Sequence, residues 1–114
     1  MDQAQRTSVE TRRKQLETRL ATLDEKLRQI EAELESHQSR DWEERATERE
    51  DDEVLESEGR AGLAEIAAIR AALDRIEDGS YGHCLKCGDE IADARLDLLP
   101  AAPLCAECAG ARPQ

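Results

Sequence analysis

Leu16, Leu20, Leu23, Leu27, Ile30 and Leu34 recur at spacings that alternate between four and three residues, with Val9 one heptad upstream. Such a seam is an apolar stripe along one side of a helix, and it needs a second helix to cover it. Leu55, Gly59, Gly62, Ile66, Ile69, Leu73 and Ile76 form a second seam with the same alternation. Both segments lack internal proline and are rich in Glu, Arg, Ala and Gln, which favour helix. Paired antiparallel, Ile30 meets Leu55, Leu27 meets Gly59, Leu23 meets Gly62, Leu20 meets Ile66, Leu16 meets Ile69 and Val9 meets Ile76. The residue numbers of these pairs sum to 85 or 86, so the seams fold onto each other about a point near residue 43. The expectation is an antiparallel helical hairpin over residues 1–80, with its tip at 41–46. Arms of roughly 35 residues at ~1.5 Å each would reach ~50 Å.

An intermolecular coiled coil is the rival architecture. The polar stretch from Glu35 to Glu53 interrupts the apolar seam, and the two halves register with each other, which favours a hairpin within a monomer. Gly59 and Gly62 in the second seam have two readings, close packing beneath a leucine or a soft spot in the arm, since each costs up to about 1 kcal/mol relative to Ala in a helix interior.

Composition narrows the function classes. Aromatic residues are 2% of the chain, Trp42 and Tyr81 with no Phe, which excludes a nucleic-acid platform built on stacking. No apolar run reaches the ~18 residues of a membrane span. The first residues, MDQAQRTSVETRRKQ, contain no apolar stretch of a secretory signal, so a soluble, cytoplasmic protein is expected. The net charge of −11 is concentrated: residues 41–60 hold ten acids and three bases, at and beyond the tip. A segment of that sign repels a phosphate backbone, so direct DNA binding is disfavoured. It is either a solvated helix face or a surface that seeks a basic or metal-bearing site.

Cys84 and Cys87, then seventeen residues, then Cys105 and Cys108 give the spacing C-x2-C-x17-C-x2-C, that of a tetrathiolate zinc site. Two knuckles each present two sulfurs, and the loop between them returns the second pair to complete a tetrahedron. Four protein ligands leave no position for water, so the ion is structural. The module over 81–110 has few sizeable apolar residues, and zinc would supply much of its folding free energy. Paired disulfides and a thioredoxin-type motif fit less well, because nothing suggests export and no βαβ pattern surrounds either pair. A zinc-releasing thiol switch is compatible with the same four residues. His83 adjoins the first knuckle and reads as a neighbour of the site in preference to a ligand. Ile76-Glu77-Asp78-Gly79 places Gly where a helix ends, just before the first knuckle. Residues beyond Cys108 are too short and Gly/Pro-broken for a dependable helix, and 111–114 form a tail.

A helical hairpin with an acidic tip followed by a four-cysteine finger resembles the DksA/TraR family of bacterial transcription regulators. The resemblance spans about residues 10–110 and rests most on Asp41-Trp-Glu-Glu-Arg-Ala-Thr and Tyr81-Gly-His-Cys-Leu-Lys-Cys-Gly. It implies a protein that binds RNA polymerase directly and inserts its hairpin through the secondary channel toward the catalytic magnesium, without contacting promoter DNA. It also implies a tip motif D-x-x-D-x-A, which Asp41 and Ala46 match, while Glu44 stands where the second Asp is expected and carries one more methylene. The same pair has the spacing of a capping box, with Asp41 as N-cap and Glu44 three residues on. Trp42 replaces what is commonly a Pro in the family. The family's basic contacts for guanosine tetraphosphate fall on Ala68, Leu99 and Ala109, none of which can pair with a phosphate, so an alarmone-insensitive member is expected.

The alternatives are an adaptor zinc protein whose acidic tip docks on another basic partner, and a zinc-thiol redox sensor. An enzyme is not expected: the chain offers no nucleophile–base pair and no apolar pocket, and its zinc would be closed.

Overall fold

A helix that begins with few internal hydrogen bonds needs a side chain to satisfy its first N–H groups, and Ser8 does this for α1 (Val9–Gln38). The Ser8 hydroxyl accepts from the Thr11 N–H at 3.1 Å, and the Ser8 carbonyl accepts from the Arg12 N–H at 3.1 Å. The second long helix, α2 (Trp42–Asp78), ends at Gly79, whose φ of +84° is left-handed. Past it, the Ser80 N–H reaches back to the Arg75 carbonyl at 3.0 Å, a Schellman closure that Gly makes without strain. Asp78 reinforces the stop by accepting from the Ser80 hydroxyl and N–H, which lower its pKa. The computed structural model describes residues 7–38 and 42–110, and for residues 37–38 and 42–50 it describes the helical backbone. The expected tip residue Asp41, and the side chains of Trp42, Glu44 and Ala46, lie outside what is described.

The fold is mainly α: the two long helices pack as an antiparallel hairpin, joined to a small four-cysteine module. Two short helices sit within that module, α3 (Asp93–Leu98) and α4 (Ala106–Gly110). No helix among the described residues is long and apolar enough to cross a membrane. Contacts gather the chain into two units, one of Leu20–Ala67 and one of Met1–Arg19 with Ala68–Gln114.

Within the first of these units, Leu23, Ile30 and Ile66 are buried, as seam positions should be. The glycines meet other partners than the constant sum implied. A Cβ on Gly62 would lie 3.2 Å from Leu27 Cδ2, and one on Gly59 would lie 4.0 Å from Ile30 Cγ2. Each glycine therefore faces a leucine or isoleucine about one turn further along α1 than Leu23 and Leu27. In knobs-into-holes packing a seam residue also touches the facing residue one turn beyond its opposite number, so these are contacts between neighbouring layers of the seam. Gly59 has room for a methyl group. Gly59→Ala is expected to stabilise the hairpin by about 0.5–1 kcal/mol through helix propensity, read as a higher urea midpoint by far-ultraviolet circular dichroism. A lower midpoint would mean that the space beside Ile30 is needed.

In the other unit, Leu16, Ile69, Ala72 and Ile76 are buried on the hairpin side. Arg13 closes the exposed flank by pairing with Glu77 at 2.8 Å and with Glu10 at 3.3 Å.

Candidate metal centre

Two tight turns create the site. Gly82 and Gly88 have φ of +90° and +82°, a region that a side chain disfavours. Between them the chain doubles back: the Cys84 N–H donates to the Asp89 carbonyl at 2.8 Å, the Ile91 N–H to Gly82 at 2.8 Å, and the Gly88 N–H to Cys84 at 2.9 Å. This folds Cys84 and Cys87 to one side. The second pair rides on the start of α4, whose Ala109 N–H donates to the Cys105 carbonyl at 2.9 Å. That short helix runs two residues past Cys108, into Ala109 and Gly110, which were expected to be irregular, because the second knuckle itself supplies its first turn. The Leu85 N–H donates to the Pro103 carbonyl at 2.9 Å and ties one knuckle to the other.

The four Sγ atoms lie within 4.8 Å of one another, and Cys87 and Cys105 Sγ are 3.8 Å apart. Zn–S bonds of ~2.3 Å arranged tetrahedrally give S···S edges of ~3.8 Å, so the cluster fits one zinc ion held by Cys84, Cys87, Cys105 and Cys108. Backbone N–H groups point at the sulfurs as well, from Lys86 and Cys87 to Cys84 Sγ at 3.4 and 3.5 Å, and from Cys108 to Cys105 Sγ at 3.5 Å. Such donors stabilise thiolate charge. Burial pushes the Cys84 thiol up, yet the backbone N–H groups of Cys105, Cys87 and Lys86 outweigh it and bring the pKa down to about 6. Cys108, crowded by Cys105 and then Cys84, is pushed up to about 12. Four thiolates so close cannot all ionise without a cation among them, and a dication removes that conflict. With all four positions taken by sulfur, the ion organises the fold and has no vacancy for chemistry.

Around the sulfurs is a thin core of Cys84, Ile91, Leu96 and Ala102, with Tyr81 and Leu104 against it. The Tyr81 hydroxyl donates to the Pro100 carbonyl at 2.7 Å, and Arg95 Nε donates to the Leu104 carbonyl at 3.0 Å. Arg75, on α2, donates to the Ala101 carbonyl at 3.4 Å.

One residue passed unnoticed in the sequence. Arg12 is 1% exposed, and its guanidinium reaches Asp93 at 2.7 Å and Asp97 at 2.8 Å. Burial works against its charge, but the hydrogen bonds it donates to Asp93 and Asp97 win and raise its pKa. The signals in the sequence are its place four residues before Leu16, one turn away on the same side of the helix, and two aspartates four residues apart.

Comparison with known proteins follows the same division into helices and finger. Residues 12–76 match the model of the DnaK suppressor protein-like N-terminal domain, and residues 79–114 match the prokaryotic DksA/TraR C4-type zinc finger. The chain belongs to the DksA/TraR family. Among solved structures, the transcription factor DksA2 from Pseudomonas aeruginosa is similar with a TM-score of 0.80 and 26% identity, over 88% of this chain and 78% of that one. The DnaK suppressor protein from Agrobacterium tumefaciens C58 is similar with a TM-score of 0.65 and 45% identity, over 92% and 94%. An Aquifex aeolicus protein is 39% identical over 66% of this chain and 52% of its own length. The RNA polymerase-binding transcription factor DksA of Escherichia coli K12 is 42% identical over 38% of this chain and 28% of its own length. The match thus spans about half, or less, of these curated relatives. In this DksA/TraR member the four cysteines are the residues of the expected site that the structure brings together, as the C4-type finger requires.

Proposed function

We propose that this chain is a DksA-like transcription regulator that binds RNA polymerase directly and inserts the tip of its hairpin into the secondary channel. The observation that carries the reading is the union, in one chain of the DksA/TraR family, of a helical hairpin with a four-cysteine finger, beside relatives named as RNA polymerase-binding transcription factors. In this reading residues 1–80 are the reaching element, 81–110 the zinc-fixed base and 111–114 a tail. Asp41 and Glu44 present carboxylates at the apex, and Ala46 permits close approach of a partner surface. The protein acts as a cytoplasmic monomer, makes no sequence-specific contact to DNA and carries out no catalysis of its own. Alarmone independence is part of the proposal, since Ala68, Leu99 and Ala109 replace the cations that would pair with guanosine tetraphosphate.

The test is site-specific photo-crosslinking from position 46 to purified bacterial core RNA polymerase. A crosslink to elements lining the secondary channel is expected, lost by competition with another channel-binding factor. Asp41→Asn should reduce the effect on open-complex lifetime at least about tenfold, a loss of ~1.4 kcal/mol, with helicity unchanged. A folded, zinc-loaded protein that gives no crosslink would overturn the proposal and leave an adaptor with another basic partner.

A further inference from the structure

We propose that Arg12 makes zinc occupancy of the finger felt at the base of the hairpin, so that metal binding and the order of the first turns of α1 form one linked equilibrium. The inference rests on the metal centre and is independent of the polymerase reading. Asp93 and Asp97 belong to α3, inside the seventeen-residue loop that zinc closes between Cys87 and Cys105. A six-residue helix has no stability of its own. Its position is set by Leu96, buried in the core that Cys84 shares, and by the Arg95 contact to Leu104 beside Cys105. Both supports depend on the knuckles staying together.

What α3 offers to α1 is charge. Arg12 NH2 donates to Asp93 Oδ1 at 2.7 Å and to the Asp93 carbonyl at 3.2 Å, and NH1 pairs with Asp97 at 2.8 Å. The Thr7 N–H donates to Asp93 Oδ2 at 3.3 Å, just ahead of the Ser8 cap. Among the described residues Arg12 Nε is buried without a hydrogen-bond partner and NH1 also reaches Gln15 Oε1 at 3.4 Å, so the two aspartates carry the charge compensation for desolvating the guanidinium. Asp97 is 57% exposed and Asp93 24%, so α3 can leave for water far more cheaply than Arg12 can stay behind unpaired. When the metal leaves and α3 loosens, Arg12 has to follow its partners out, and residues 9–16 lose their tie. Linkage makes the effect reciprocal: whatever the Arg12 contacts add to the order of α1, they add to zinc affinity.

The experiment uses the full chain, with Zn2+ as the only added ligand. Amide hydrogen exchange at residues 12–19 is measured with zinc bound and after chelation, in the native protein and in Arg12→Met, which keeps the aliphatic stem. Zinc affinity is read by competition with a chromophoric chelator. In the native protein chelation should speed exchange in this stretch at least about tenfold, whereas in Arg12→Met the exchange should no longer respond to zinc, and zinc affinity should be about tenfold weaker. Exchange in α1 indifferent to chelation in the native protein, or unchanged zinc affinity in Arg12→Met, overturns the proposal. Should Arg12→Met lose its helical signal, Asp97→Asn decides, since it removes one exposed charge. A severalfold loss of zinc affinity supports the link, and native affinity overturns it.

Discussion

Stripping zinc from the protein is expected to unfold residues 79–110 while most of the helical signal survives. The finger's buried core is Cys84, Ile91, Leu96 and Ala102, so two of its four members are a thiol and a methyl group. Full burial of Ile91 and Leu96 is worth roughly 1.5–3 kcal/mol each, too little to order a module of this length. Hydrophobic burial alone leaves the module unfolded. A structural zinc supplies on the order of 10–16 kcal/mol at neutral pH, far more than the two aliphatic side chains do. The helical signal changes little because α3 and α4 contribute six and five residues, while α1 and α2 contribute 30 and 37. Amide resonances of 79–110 should collapse to the unfolded range on chelation and return with one equivalent of zinc. Cys108→Ser should weaken zinc binding by several orders of magnitude. Dispersed finger resonances after complete metal removal would show that the core stands unaided, and the structural role of the ion would be lost with that result.

The finger was legible because metal ligation constrains sequence tightly: four sulfurs must converge, and C-x2-C twice is the shortest way for a chain to present them. The hairpin was legible for a related reason, since a seam of Leu and Ile in alternating steps has few other uses. Which facing side chain fills the space over each glycine was not: Leu27 reaches Gly62, because spacing sets the seam but not the lean of each side chain. The short helices α3 and α4 were also hidden. Asp93-Ala-Arg-Leu-Asp-Leu has little helical periodicity to read over so short a span, and it is helical because Leu96 and the Arg12 ion pairs fix it from outside. Arg12 was hidden most completely, as an isolated arginine in a charged chain looks like surface. Long-range pairing over 81 positions is information that only the folded chain holds.

Truncating the hairpin seam at its base should have a large effect on stability, and the size follows from how thin that core is. Leu16 and Ile69 are each 1% exposed, and the other buried apolar residues of α1 and α2 in the same unit are Ala72 and Ile76, with no aromatic residue among them. Leu16→Ala or Ile69→Ala removes branched carbons from a site where two helices, held along their length, cannot collapse far to fill the space, so each should cost about 2–4 kcal/mol. Against a total stability of roughly 5–15 kcal/mol, that is a large fraction for one side chain. Leu63 provides the contrast: it is 59% exposed on the same helix as Ile69. Leu63→Ala should change stability by less than about 0.5 kcal/mol, since an exposed side chain forfeits little on truncation and Ala favours helix as well as Leu does. Urea denaturation of the zinc-loaded protein, followed by far-ultraviolet circular dichroism, separates these cases. Equal losses at Leu16 and Leu63 would mean that the face bearing Leu63 is covered in solution, by a second copy of the chain, and that the hairpin is not the stable unit. A large loss at Leu16 alone ties stability to the intramolecular seam, and through α1 to the segment that carries Arg12.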